Sequence, residues 1–245
     1  LTIVALQKLI RHHQNVILTT ETDKYSALIE RQLYLSKKVY TTSLPRTQKV
    51  VCHSSYIMNI HQQIRNMNNS NPILLCAGAA RRDKGYFELV RIAQFLNMTS
   101  NGVFIIVAQA MDDTHLQFNR DYDRQIRSQS NILLLKSNLS NVDYVNMIAI
   151  ADVMLLPYHE NVYHHRGSAV LVDALCHNKL VISTKHTSLG HTIESNNVGY
   201  TYETLSELSD ILQHILKYSE NERLEIKKRQ ELFLNNNIER LKNII

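Results

Sequence analysis

Residues 73–97 read ILLCAGAARRDKGYFELVRIAQFLN, and two periodicities meet inside them. Ile73–Ala77 is a continuous apolar run of strand length, the pattern of a strand covered by helices on both faces. A loop of small and basic residues follows. Within Tyr86–Asn97, Leu89, Ile92, Ala93 and Leu96 then fall at i, i+3, i+4 and i+7, one face of a helix. The alternation continues down the chain. Strands are expected at Val103–Ala108, Ile132–Leu135, Val153–Leu156, Leu180–Ser183 and, more weakly, Val198–Tyr202. Helices are expected at Phe118–Ser128, Val142–Ala151, Ser168–His177 and Leu189–Ser195. Strand then helix, repeated about five times, predicts an α/β fold with a doubly wound parallel sheet, Rossmann-like, over residues 72–219.

Outside this domain the pattern changes. Thr2–His12 and Lys24–Leu35 read as helices, Asn15–Thr20 and Lys38–Thr42 as strands. Residues 1–55 bury too little surface to be stable alone, so they are expected to be the remnant of a second, N-terminal α/β domain. A leading Leu1 in place of Met fits that expectation. Residues 56–71, Asn-rich near their end and helix-like at Ile57–Arg65, are expected to link the two. Residues 220–245 read as a charged helix with Leu224, Leu234, Ile238 and Leu241 on roughly one face. It is expected to pack back toward the N-terminal part.

Composition narrows the function. The 245 residues carry 27 Lys+Arg against 22 Asp+Glu, a net charge of +5. An apolar share of 44% excludes a disordered chain, and only 6 Gly and 3 Pro exclude collagen-like and many-turned β folds. Cys52, Cys76 and Cys176 show no CxxC or zinc spacing and read as thiols of a reducing, cytoplasmic compartment. No signal peptide is visible, and the longest apolar runs fall far short of the ~18 residues of a membrane span. The basic balance suits a phosphorylated ligand, and it leaves a peripheral contact with the cytoplasmic face of a membrane open. The cations are too dispersed for nucleic acid.

Two constellations carry chemistry. The first, Cys76–Tyr86, sets Arg81, Arg82 and Lys84 on a strand-end loop, where ligands of open parallel sheets bind. Gly78 permits a turn that a Cβ would hinder, and Gly85 lets the next helix start close to the sheet. Neither GxGxxG nor a P-loop is present. The second, Leu156–Leu175, ends a strand at Pro157 and opens a helix near Gly167–Ser168. The unpaired N–H groups of that helix start form an anion site. Gly167, Ser168 and Ala169 are small, so a phosphate could approach the backbone. Asp173 lies on an otherwise apolar helix and needs a partner, either a ribose diol or a nearby Lys or Arg. His159, His164 and His165 lack metal-ligand spacing, so no metal or other cofactor is expected. No GxSxG nucleophile motif occurs.

In this order, the two constellations resemble the donor-binding half of retaining glycosyltransferases of family 4, which have the GT-B fold. Gly78, Arg81, Lys84 and Gly85 look like a variant "G-x-x-R-x-x-K-G" loop, with Ala79 at the usual Arg position. Ala151, Asp152 and Pro157 look like the family's "ADv.llP" stretch. Ser168–Thr184 looks like "G-l-v-l-l-E-A-m-a-c-G-k-P-V-i-a-t", and Gly190, Glu194 and Gly199 resemble the later "G…E.i….G" tract. The family's paired acids, E-x7-E, fall here at His165 and Asp173, so His replaces the first and Asp shortens the second. Arg166 and Ser168 resemble a sub-pattern found among relatives.

The resemblance implies transfer of a sugar from a nucleotide-diphosphate donor, a UDP- or GDP-sugar, to an unknown glycan, lipid or protein acceptor, with retention at the anomeric carbon. Arg81 and Lys84 would be the catalytic cations. Gly78, Arg82, His165, Arg166, Gly167, Ser168, Ala169 and Val170 would bind the donor diphosphate. Asp173 would hold the ribose, and Lys136, Ser137 and Asn138 would meet the base. Such enzymes keep their acceptor site and usual catalytic His in the N-terminal domain. Neither can be placed in residues 1–55, so this stretch of chain is expected to be inactive alone. A non-catalytic nucleotide-sugar-binding domain and a nucleotide-sugar epimerase are the alternatives.

Overall fold

The computed structural model describes residues 55–67, 72–100 and 104–242. The elements expected within residues 1–54, and Cys52, lie outside them. The chain enters through α1 (Ser55–Met67) and then alternates: β1 (Ile73–Cys76), α2 (Leu89–Ser100), β2 (Ile105–Gln109), α3 (Arg120–Arg127), β3 (Ile132–Leu135), α4 (Asn141–Ile150), β4 (Val153–Leu156). A short α5 (Glu160–Tyr163) precedes α6 (Ala169–Cys176), β5 (Leu180–Thr184), α7 (Ser188–Asn196), β6 (Tyr200–Tyr202), α8 (Leu205–Leu216) and α9 (Glu220–Lys242). The six strands order as β3-β2-β1-β4-β5-β6, and every pair is parallel. Strand order therefore reverses between β1 and β4, which opens a crevice at their carboxyl ends.

Strand side chains alternate between two cores. Ile73, Leu75, Val107, Met154, Leu156 and Val181 face one layer, with Ile57, Met147, Leu171, Ile193 and Leu234 from helices. Leu74, Ile106, Val153, Leu155 and Ile182 face the other, with Leu89, Leu96, Ile126, Leu208 and Leu212. Each such aliphatic side chain, fully buried, contributes about 1.5–3 kcal/mol relative to exposure. The segment expected as a linker contains α1, whose Ile57, Ile60 and Ile64 are buried against the first layer.

Polar contacts fix the register where strands meet helices. The Ile73 N–H donates to Asp152 Oδ2 at 2.8 Å, which ties the start of β1 to the start of β4. Lys179 Nζ donates to the carbonyls of Ala149 (2.6 Å) and Ala151 (2.8 Å), closing the end of α4. Burial lowers the Lys179 pKa to about 8.

The apolar stripe of α9 differs from the sequence expectation. Leu224 is half exposed, Leu234 is buried as expected, together with Ile226 and Gln230, and the side chains of Ile238 and Leu241 lie outside the described residues. A polar side chain stands in the middle of this stripe because it has a task. Gln230 Nε2 donates at 2.9 Å to both the Lys179 and the Val198 carbonyls. The helix α8 was not anticipated. The N-terminal segment toward which α9 was expected to pack lies outside the described residues. Among the described residues, no helix is long and apolar enough to cross a membrane.

Replacing Gln230 by Ala should strand two carbonyls, at about 2 kcal/mol. The melting temperature should fall by roughly 4–8 °C, measured by thermal unfolding. An unchanged melt would show that α9 is not pinned through this amide.

Candidate functional site

The loop after β1 is built around two left-handed glycines, Gly78 (φ +95°) and Gly85 (φ +73°). Between them a 3-10 turn, Arg82–Lys84, closes through Gly85 N–H to the Arg82 carbonyl at 2.9 Å. A Cβ on Gly85 would stand 2.0 Å from the Pro157 carbonyl oxygen, so only glycine lets the loop lie against the end of β4. The His159 N–H, donating to the Asp83 carbonyl at 2.9 Å, completes the clamp.

The clamp sets Lys84 over the crevice. A Cβ on Gly78 would meet Lys84 Nζ at 2.9 Å and Val170 Cγ2 at 3.4 Å. Lys84 from the first constellation and Val170 from the second therefore converge on one glycine. Lys84 Nζ also lies 5.8 Å from the centroid of the buried Tyr158 ring. It has no carboxylate within salt-bridge distance among the described residues. Burial, reinforced by the charge of Arg81 and opposed by that of Asp83, lowers the Lys84 pKa.

Arg81 is differently placed. Its Nη2 contacts Asp83 Oδ2 at 2.6 Å and donates to the Tyr163 hydroxyl at 3.1 Å, while its Nε is buried without a hydrogen-bond partner. Arg82 is exposed, with its guanidinium 5.2 Å from the Phe87 ring centroid. Ser168 is the N-cap of α6 but makes no side-chain cap bond, and its Oγ lies 3.5 Å from the Tyr158 hydroxyl. The first-turn N–H groups of α6 thus lack a side-chain acceptor, and a helix start in that state attracts anions. Gly167, Ala169 and His165 are exposed, and Arg166 is half-buried. The His165 ring stacks edge-on against His164 at 4.3 Å. The cavity beside Lys84 and Gly78 measures about 20 Å³, room for about one water.

Asp173 is mostly buried on α6, and its partner is neither Lys nor Arg. The Tyr144 hydroxyl donates to Asp173 Oδ2 at 3.0 Å. Burial raises the Asp173 pKa, against the pull of that hydrogen bond. The preceding residue on α4, Asp143, accepts from Lys136 Nζ at 3.0 Å. Lys136 Nζ sits 4.4 Å from the Tyr56 ring centroid, and the Lys136 N–H donates to the Tyr56 hydroxyl at 2.8 Å. The Ser137 carbonyl accepts from Gln109 Nε2 at 3.0 Å. The first turn of α4 thereby links the loop expected to meet a base to the acid expected to meet a ribose. That loop follows β3, two strands from β1 and so about 10 Å across the sheet. Asp83, Tyr144, Tyr158 and Tyr163 were not singled out from sequence. The acid at Asp83, two residues from Arg81 in a basic loop, was the available signal.

Burial pushes the Cys76 thiol up to about 12, so it is no nucleophile at neutral pH. Among the described residues, no group of three or more His, Cys, Asp or Glu is placed to hold a metal ion.

The model of the family described as Glycosyl transferases group 1 matches residues 58–237, and the chain belongs to that family. A search of curated proteins by sequence finds no match. Among solved structures, the chain resembles WaaG, described as a glycosyltransferase involved in lipopolysaccharide biosynthesis. The TM-score is 0.54 at 17% identity, over 77% of this chain and 48% of WaaG. It resembles the C-terminal domain of the group 1 family protein LpcC from Francisella tularensis. There the TM-score is 0.53 at 16% identity, over 71% of this chain and 89% of that domain. It also resembles an E. coli structure described as trehalose-6-phosphate bound with UDP-2-fluoro glucose. That match has a TM-score of 0.59 at 11% identity, over 82% of this chain and 46% of the other. At these identities the likeness is one of fold, the GT-B fold. The chain spans about half the length of WaaG and of the E. coli protein.

Gly85→Ala should force a left-handed non-glycine residue and a clash with the Pro157 carbonyl. The strain should cost about 2–3 kcal/mol, and a melting temperature within one degree of the parent would refute the clamp. Asp173→Asn keeps an acceptor for Tyr144 and removes a buried charge that the fold holds at a raised pKa. Stability at neutral pH should therefore hold or rise slightly. Nucleotide affinity should nevertheless fall about tenfold, or 1.4 kcal/mol, if the carboxylate takes a ribose. Equal affinity of parent and variant by calorimetry would remove Asp173 from the ligand site.

Proposed function

We propose that the chain is the donor-binding half of a retaining, family 4 glycosyltransferase that takes a nucleotide-diphosphate sugar. The observation that carries this reading is the meeting of Lys84 with the α6 N-terminus at Gly78, in the crevice where strand order reverses. Breaking the bond between the anomeric carbon and the diphosphate leaves negative charge on the departing phosphate. An ammonium and unpaired helix N–H groups, fixed in place beforehand, stabilise that charge as it develops. Lys84 and α6 supply these groups. Arg81, held by Asp83 and Tyr163, would add a second cation. Cations already face the diphosphate, so the reading requires no metal. Asp173 would take the ribose, and the backbone of Lys136–Asn138 the base. The acceptor, whether glycan, lipid or protein, would be bound with the help of an N-terminal domain, in the cytoplasm or at the cytoplasmic face of a membrane. UDP is the first nucleotide to try, given the UDP-2-fluoro glucose named for the E. coli protein of the same fold.

One observation favours a second reading, a nucleotide-sugar-binding domain without catalysis. His165 stands where the family has an acid, and its ring lies against that of His164.

Lys84→Ala should weaken UDP binding at least tenfold, about 1.4 kcal/mol, and unchanged affinity by calorimetry would sink the assignment. Because the Lys84 pKa is lowered, the ammonium is lost earlier than in an ordinary lysine as pH rises. Affinity for UDP should accordingly decline on the alkaline side below the usual lysine range. This decline should be absent in Lys84→Arg, since arginine stays charged.

A further inference from the structure

On the other side of His165 from α6, an open depression of about 460 Å³ lies at the end of β5 and the start of α7. Four imidazoles line it: His164 and His165 from the segment before α6, His186 from the loop after β5, and His191 from the first turn of α7. Lys185 adds a fixed cation. The wall is tied together. The Ser188 hydroxyl donates to the Arg166 carbonyl, and His164 Nδ1 lies 3.4 Å from the His186 carbonyl.

Among the described residues, three carboxylates oppose these cations. Glu160 of α5 and Glu194 of α7 also line the depression, and Glu194 Oε1 accepts from the Thr201 hydroxyl at 2.5 Å. Glu203, beyond β6, lies 3.4 Å from His186 and 4.0 Å from Lys185. With neutral imidazoles, one lysine faces three carboxylates and an anion gains little. Imidazoles as a class gain charge between pH 5 and 8. Four charged together repel one another unless an anion lies among them. A metal does not account for the cluster, since no three ligands are placed to hold one among the described residues.

We infer that this depression binds an anionic group of the phosphate-monoester class carried by the acceptor. The assignment rests on the donor reading above. His165 precedes the α6 N-cap Ser168 by three residues, at most about 11 Å of extended chain. An anion among the histidines therefore sits roughly a sugar's reach from the donor diphosphate, on the side away from the base. Capture of the acceptor strengthens as pH falls.

The test is calorimetric titration of the whole chain with inorganic sulfate, a probe of constant charge, at about pH 6 and pH 8. Saturating UDP is present to fill the diphosphate crevice. Sulfate should bind at least tenfold more tightly at the lower pH. The double variant His186→Gln, His191→Gln should lose that difference while keeping its UDP affinity and its melting temperature. Sulfate binding that ignores either the pH or the double variant, or no binding at the lower pH, overturns the inference. Failure of UDP to bind the parent chain instead overturns the donor reading, and the acceptor role with it. A hexose phosphate in one arm, and vesicles of phosphatidylcholine with phosphatidic acid in the other, separate a soluble phosphate from a lipid headgroup. Binding in either arm that the double variant loses supports the inference, and binding in neither overturns it.

Discussion

The contact between Gly85 and the Pro157 carbonyl governs the rest of the crevice. Two strand ends from opposite halves of the sheet meet there with no room for a Cβ. That closeness brings the basic loop over β4 and points Lys84 at the start of α6. Tyr158, buried one residue past Pro157, supplies the floor, and Asp83 is held by the His159 N–H. A wider gap would leave the same residues as a solvated basic loop, the other outcome that the composition of that loop allows.

The sheet was legible because its strands are short, continuous and apolar. The bounds of β3 and β4 agree with the sequence reading, and the other strands differ at their ends by one or two residues. Helix α8 escaped notice although Thr204 and Glu207 mark its start, with the Thr204 hydroxyl accepting the Glu207 N–H. Its apolar face, Leu208, Leu212 and Ile215, was equally plain. The α9 stripe was misplaced at its first half, with Leu224 in place of Ile226 and Gln230, because hydropathy counts Gln230 as surface whereas two backbone carbonyls give that amide a buried role. Patterns of hydropathy cannot find such a residue, since its partners are backbone atoms far away in sequence.

The site was legible in part, for a related reason. Glycines and cations at a strand end have a local signature, and Gly78, Lys84 and Val170 were named before their convergence could be seen. The pairing of Asp173 with Tyr144 had none, because the two belong to different helices. That phenol changes what the acid can do. One carboxylate oxygen is engaged in the free chain, and burial alone would favour the neutral form. Likewise Arg81, read as a free cation, shares its charge with Asp83. Of the two, Lys84 is the one without a carboxylate at salt-bridge distance among the described residues.

The central strand has a consequence for how the chain acquires its shape. β1 pairs first with β2, some thirty residues on, but its other neighbour β4 contacts it across 79 residues of sequence. Long-range pairing of this kind is slow, because loop closure must precede its reward. Until β4 arrives, Leu74 and Leu75 present an unpaired apolar edge in the middle of the future sheet. On a ribosome adding residues from the amino end, β1–β3 and their helices emerge as a half-sheet that must wait for its second half. The point where the two halves join is the point where the crevice forms, so the candidate site and the docking of one half-sheet on the other coincide.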